Sequence, residues 1–232
     1  MGKYYKTTPW VIPELPQSLK NIFKKNGKKI SIRKNQVISG NDETALFSNT
    51  EKLIYIDSGL LGQAYKTYCV NKPYAMSIVL PGRMVNYLHY LEIDNSGDII
   101  LALRKSDIFT MTKSQFDGIT EKDLKDEMVK YCKKAVTSDF DAMCCMFTCD
   151  TPQRLAYFLK ALAESFYDDI STMPLVEIPL KLSYAEMSYI MHTTIRTIER
   201  LLPKWRSMGY ISTGRNSIII YKKLFNEIES LA

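Results

Sequence analysis

Leu182-Ser183-Tyr184-Ala185-Glu186-Met187-Ser188-Tyr189-Ile190-Met191-His192-Thr193-Thr194-Ile195-Arg196-Thr197-Ile198-Glu199-Arg200-Leu201-Leu202 is the stretch on which the reading of this chain turns. A short helix in its first half places Met187 and Ile190 inward. A turn of three or four residues follows, then a longer helix that offers Ile198, Leu201 and Trp205 to a core. Two helices at this spacing form a helix-turn-helix, whose second helix can enter a DNA major groove. The outward face of that helix carries Thr194, Arg196, Thr197, Glu199 and Arg200. Arginine grips guanine bidentately, glutamate accepts from cytosine, and hydroxyls reach phosphate or base. A solvated helix of no further function can carry the same residues, so its neighbours must decide.

Downstream, Gly209 ends the helix, and the segment 210–221 reads as two strands joined by a Gly-Arg-Asn turn. Arg215 and Asn216 would form the tip of a wing against the DNA backbone, with Lys204 and Arg206 as further phosphate contacts. Pro203 removes a helical donor and is expected to bend the reading helix or shorten its regular part. Upstream, Asp150-Thr151-Pro152-Gln153 is a helix cap with proline in the first turn. It opens a helix with Leu155, Phe158, Leu159, Leu162 and Phe166 on one side. Before it, no proline or glycine interrupts residues 121–147. There Leu124, Met128, Tyr131, Ala135, Ser138, Ala142, Cys145 and Cys149 alternate in steps of four and three. Such a stripe is either a core face or a dimer seam.

Residues 28 to about 115 are predicted as short strands at 29–33, 44–47, 52–56, 60–69, 74–80, 83–91, 99–103 and 108–111. Turn signals separate them at 39–42, 57–59, 71–73, 81–82 and 94–98. Many short strands at this spacing imply a barrel, roll or sandwich. Residues 1–27 form a basic lead with one helical candidate at 16–23, and residues 170–180 connect to a short strand at 175–180.

Charge sharpens this organisation. Residues 1–35 hold nine Lys/Arg against one Asp/Glu, and residues 181–232 hold eight against four, in a chain of net charge +6. Basic segments around an acidic centre suit contact with a polyanion. Five cysteines, Cys69, Cys132, Cys144, Cys145 and Cys149, follow no standard metal spacing and fit reduced core thiols, with a redox or metal sensor as the lesser reading. The sequence has no signal-like start and no apolar run long enough to span a bilayer, so a cytoplasmic location and no membrane contact are expected. The two histidines, His89 and His192, sit in no nucleophile, metal or dinucleotide motif, so no catalytic or metal residues are assigned and an enzyme is not expected.

The segment resembles the Crp-Fnr family of bacterial transcription regulators. The family's recognition helix commonly reads Arg-Glu-Thr-Val-x-Arg; here Ile195-Arg196-Thr197-Ile198-Glu199-Arg200 keeps the threonine, the aliphatic residue and the last arginine. Ile195 and Arg196 replace the usual arginine-glutamate pair, which implies a different DNA site. His192 stands where the family has a turn glycine. Arg154-Leu155-Ala156, the ending Gly209-Tyr210-Ile211, and Gly40, Gly59 and Gly82 in the strand region extend the likeness along the chain. The resemblance implies an α+β fold: a cyclic-nucleotide-binding-like β-roll at 1–118, a dimerisation helix at 119–149 and a winged helix-turn-helix at 150–232. It also implies a homodimer on double-stranded DNA with inverted-repeat symmetry, and RNA polymerase as a further partner. Cyclic AMP is not expected, because Asn86-Tyr87 replaces the family's Gly-Glu and Ser96-Gly97-Asp98 its Arg-Ser-Ala, and aspartate repels phosphate. No cofactor is predicted, and an unidentified small-molecule effector stays open. The alternative is a ligand-sensing or interaction module whose winged helix contacts protein.

Overall fold

The computed structural model describes residues 8–41, 43–65, 75–93, 97–121 and 123–230. The opening residues 1–7, Asp42, Cys69, the expected strand residues 66–69 and 74, and the turn residues 71–73 and 94–96 lie outside them. Two compact units result, Ile12–Asp139 and Phe140–Ala232, the latter joined by the N-terminal residues up to Val11.

The first unit begins with α1 (Gln17–Asn26), followed by β1 (Lys28–Ile32), β2 (Val37–Ser39), β3 (Leu53–Ser58), β4 (Leu61–Tyr65), β5 (Ala75–Val79) and β6 (Met84–Val85). Then come α2 (Tyr87–Tyr90), β7 (Asp98–Ala102), β8 (Ser106–Met111), α3 (Lys113–Asp117) and the start of α4 (Leu124–Thr148). The strands form two four-stranded antiparallel sheets, ordered β1-β8-β3-β6 and β2-β7-β4-β5. Ile54, Ile56 and Ile108 of one sheet and Leu61 and Ile100 of the other belong to a single buried cluster. Alternation along β7 brings Asp98 to the same buried face as Ile100 and Ala102. Residues 53–56 of β3 are buried without alternation, since both faces are covered; Phe23 of α1 stacks on Tyr55 at 5.7 Å.

Two strand expectations change, and one helix is added after the last strand of the roll. Residues 44–47 contribute only one bridge, Ser39 to Phe47. Residues 83–91 give the two-residue β6, after which Asn86 at φ 60° turns the chain into α2, so His89 lies on a helix. Residues 113–117 form α3, opened by a capping box between Thr112 and Gln115.

α4 settles what the stripe of small and apolar residues does. Leu124, Met128, Tyr131, Cys132 and Ala135 join the core of the roll. The Tyr131 hydroxyl accepts from Met84 N and donates to Met84 O, both at 2.9 Å. Ser138, Ala142 and Cys145 are buried as well. Of the two readings left open for the stripe, its buried members take that of a core face. A second row, Val129, Val136, Phe140, Met143 and Phe147, lies about a third of a turn around the helix. Its last three members are 57%, 48% and 83% exposed.

The second unit contains α5 (Thr151–Glu164), β9 (Leu175–Ile178), α6 (Tyr184–Ile190), α7 (Ile195–Ser207), β10 (Ile211–Thr213), β11 (Ile218–Tyr221) and α8 (Lys222–Ser230). Asp150 and Gln153 cap α5 reciprocally, at 2.8 and 2.9 Å. Leu155, Phe158, Leu159 and Leu162 are buried as expected, whereas Phe166 falls beyond the helix and is 39% exposed. Trp10 meets Phe158 edge-on at 6.5 Å. The strands make a three-stranded antiparallel sheet ordered β10-β11-β9. Among the described residues no helix is long and apolar enough to cross a membrane.

Candidate nucleic-acid interface

Local chemistry fixes the ends of both helices of the motif. Ser183 caps α6 by accepting from Glu186 N at 3.2 Å, and Glu186 reaches back to Ser183 N at 2.7 Å. Met187, Ser188 and Ile190 are the buried side of this helix. The turn then needs a left-handed residue, and His192 supplies it at φ 48°. Thr193 N donates to Ser188 O at 2.9 Å, closing the turn. Thr194 starts α7 as its N-cap, accepting from Thr197 N at 3.1 Å, and the two threonine hydroxyls lie 2.9 Å apart.

α7 buries Ile198, Leu202 and Trp205. Its opposite side exposes Arg196, Glu199, Arg200, Lys204 and Arg206, with Thr194 exposed at the start and Thr197 half-buried. At 100° per residue, Arg196, Arg200, Pro203 and Ser207 lie almost in line along the outermost strip. The helix continues through Pro203 to Ser207, so the expected shortening does not occur. Pro203 leaves the Glu199 carbonyl without its helical donor, but on a solvent-facing strip where water can replace it.

Arg196, Arg200, Lys204 and Arg215 take part in no ion pair among the described residues. Arg206 is tethered, with its guanidinium donating to the Tyr184 hydroxyl at 3.4 Å. The α7 N-terminus adds backbone donors and a positive dipole end, both suited to phosphate.

The wing is the loop between β10 and β11. Gly214 N donates to Ser217 O at 3.0 Å, and the Ser217 hydroxyl donates to Glu177 of β9 at 2.6 Å. Arg215 and Asn216 are left exposed at the tip, as expected, while Lys181 reaches the Arg215 carbonyl at 3.5 Å. All nine sequence-predicted residues thus lie within one unit, eight exposed and Thr197 half-buried. One residue of this surface was not among them. Ile195, first residue of α7, is 45% exposed and can meet a thymine methyl. Its place in the recognition-helix motif was the available signal.

Residues 153–223 match the Crp-like helix-turn-helix domain. Solved structures extend the likeness to both units. FixK2 from Bradyrhizobium japonicum aligns with a TM-score of 0.68 at 15% identity, over 86% of this chain and 96% of that one. A CooA mutant from Carboxydothermus hydrogenoformans aligns at 0.70 and 18% identity, over 94% and 95%. A transcriptional regulator of the CRP/FNR family from Thermus thermophilus aligns at 0.61 and 14% identity, over 88% and 100%. The fold is that of the Crp-Fnr regulators. No curated protein matches the sequence itself. Within the Crp-Fnr fold, His192 and Asn86 occupy positions where the family resemblance calls for glycine, and both are left-handed, at φ 48° and 60°. Their backbones keep the geometry that glycine serves.

Proposed function

We propose that the protein is a sequence-specific, DNA-binding transcription regulator that acts as a homodimer and reads the major groove with α7. The observation that carries this reading is the outer strip of α7. Arg196 and Arg200 stand exposed, with no ion pair among the described residues, on the face opposite Ile198, Leu202 and Trp205, in a domain that matches the Crp-like helix-turn-helix. In this reading Arg196, Arg200 and Ile195 address base edges, with Glu199 opposite cytosine. Lys204, Arg206, Arg215 and Asn216 hold the phosphates, and Thr194 and Thr197 mainly shape the helix start.

Dimerisation falls to the exposed row of α4, Phe140, Met143 and Phe147. A surface of this kind on a long helix is a coiled-coil half. Twofold symmetry then calls for an inverted-repeat site, with RNA polymerase as the partner of the bound dimer in the cytoplasm. Cyclic AMP does not suit the roll, whose interior holds the Asp98 and Asp139 carboxyls and would repel a cyclic phosphate.

The test is binding to duplexes selected from a random pool, against unselected duplex, across a salt series. Affinity should fall steeply with salt as counterions are released. Arg200→Ala should weaken the selected site by about tenfold or more and the random duplex far less, and Arg196→Ala should change the selected sequence. Equal losses on both duplexes would reduce these arginines to backbone contacts, and salt-independent binding would remove the proposal.

A further inference from the structure

The second unit contains a cleft that the reading of α7 leaves unused. Three helices line it: α7 through Leu201 and Trp205, one turn apart, α5 through Ala156 and Tyr157, and α8 through Leu224. Ala156, Trp205 and Leu224 are buried and form its deepest part, while Leu201 and Tyr157 are half-buried. The cleft has a volume of about 170 Å³. A benzene ring needs about 150 Å³, so one ring or one branched aliphatic group fills it.

Two exposed charges of opposite sign complete the lining. Lys204 of α7 precedes Trp205, and Glu227 of α8 lies one turn beyond Leu224. Lys204 takes part in no ion pair among the described residues. Glu227 stands beside Tyr210, and a carboxylate accepts from more than one donor. An exposed charge by itself contributes little to binding, so neither side chain makes a site alone. A ligand with one charge would also meet its like: an anion faces Glu227, and a cation faces Lys204. A ligand with both charges and a small apolar body meets every feature of the cleft. That is the chemistry of a free apolar amino acid. Its carboxylate faces Lys204, its ammonium faces Glu227, and its side group covers Trp205 and Ala156.

We propose that this cleft binds a small apolar amino acid, whose carboxylate takes Lys204 from the DNA backbone and so weakens duplex binding. The site stands on its own geometry, whereas its effect on DNA rests on the phosphate contact proposed for Lys204. The ligand thus acts within the reading unit itself and needs no signal from the roll.

The full-length protein is first titrated by calorimetry without DNA, using L-leucine and L-phenylalanine. Glycine keeps both charges without the apolar body, 3-phenylpropionate keeps only the anion, and phenylethylamine keeps only the cation. At least one of the two amino acids is expected to saturate, with all three analogues weaker by about tenfold or more. Glu227→Gln and Tyr157→Ala should each cost about fivefold or more in affinity, while Lys222→Gln, on α8 but outside the cleft, should cost nothing. Glu227 is exposed, so its variant keeps the test valid if Tyr157→Ala does not fold. Duplex binding is then followed across a salt series with and without saturating amino acid. Removing one phosphate contact should weaken the duplex complex and lower the salt slope by about one. The site is overturned if neither amino acid saturates, if a singly charged analogue binds as tightly, or if Glu227→Gln binds like the parent. An unchanged salt slope at saturation overturns the competition with DNA. Should the ligand-free protein bind no duplex at all, the reading of α7 fails together with that competition, and the calorimetric titration still decides the site.

Discussion

Gly59 turns the chain between β3 and β4 at φ 96°, and Gly209 ends α7 at φ 70°. Both backbones are left-handed, where a Cβ costs about 1–2 kcal/mol. Their surroundings differ. A Cβ on Gly59 would run into the Lys105 carbonyl and Ser106, whereas nothing lies within 4 Å of one on Gly209. Gly209→Ala is therefore expected to lose about 1 kcal/mol, and Gly59→Ala about 3 kcal/mol or more, because backbone atoms cannot swing aside as a flexible side chain would. Denaturant midpoints for the two variants check this; equal losses would mean that the collision at Gly59 relaxes without cost.

At the scale of elements, what was legible depended on whether a signal was local. The helix-turn-helix and the wing were readable because each is set by residues a few positions apart, such as Gly209 and the strands after it; the caps of Ser183 with Glu186 and Thr194 with Thr197 are equally local but came only with the structure. β6 and α2 were not. Their boundary is the left-handed Asn86, and nothing in the apolar run 83–91 distinguishes a strand from a short helix. The α4 stripe was legible as a stripe, but its covering was not, since packing against Met84 and the roll is a long-range fact. The 57–83% exposed row of phenylalanines emerges only once that face is occupied. Asp98 shows the same limit: it was read as a departure from a phosphate site, but its burial beside Gln63 depends on register. A prediction follows for the roll. Both buried carboxyls hold protons more tightly folded than unfolded, with folded values of about 7 and about 6. Between about pH 4 and pH 7 the folded state thus binds more protons, and stability falls as pH rises, levelling off above that window. The loss should be on the order of a few kcal/mol, and Asp98→Asn combined with Asp139→Asn should flatten it. A parent protein whose unfolding midpoint is constant or rises across this range would contradict the burial of these groups.

For the whole molecule, the exposed row and the reading helix make linked demands. Leaving Phe140, Met143 and Phe147 uncovered in water is unfavourable by roughly 25 cal/mol per Å² of apolar surface, and the proposed homodimer would recover this by pairing two copies along α4. Phe140→Asp with Phe147→Asp should then give a monomer by sedimentation while leaving the unfolding midpoint nearly unchanged, because both side chains lie outside the chain's own core. Two reading helices in one dimer must enter successive major grooves, about 34–36 Å or 10–10.5 base pairs apart. Inserting about five base pairs between the half-sites rotates one of them to the far side of the duplex and should cut affinity to that of a single half-site. The monomeric variant should bind the natural and the expanded sites equally, since it never uses both halves at once. If the parent tolerates the insertion as the variant does, the two α7 helices are not held in a fixed frame, and symmetry does not contribute to recognition.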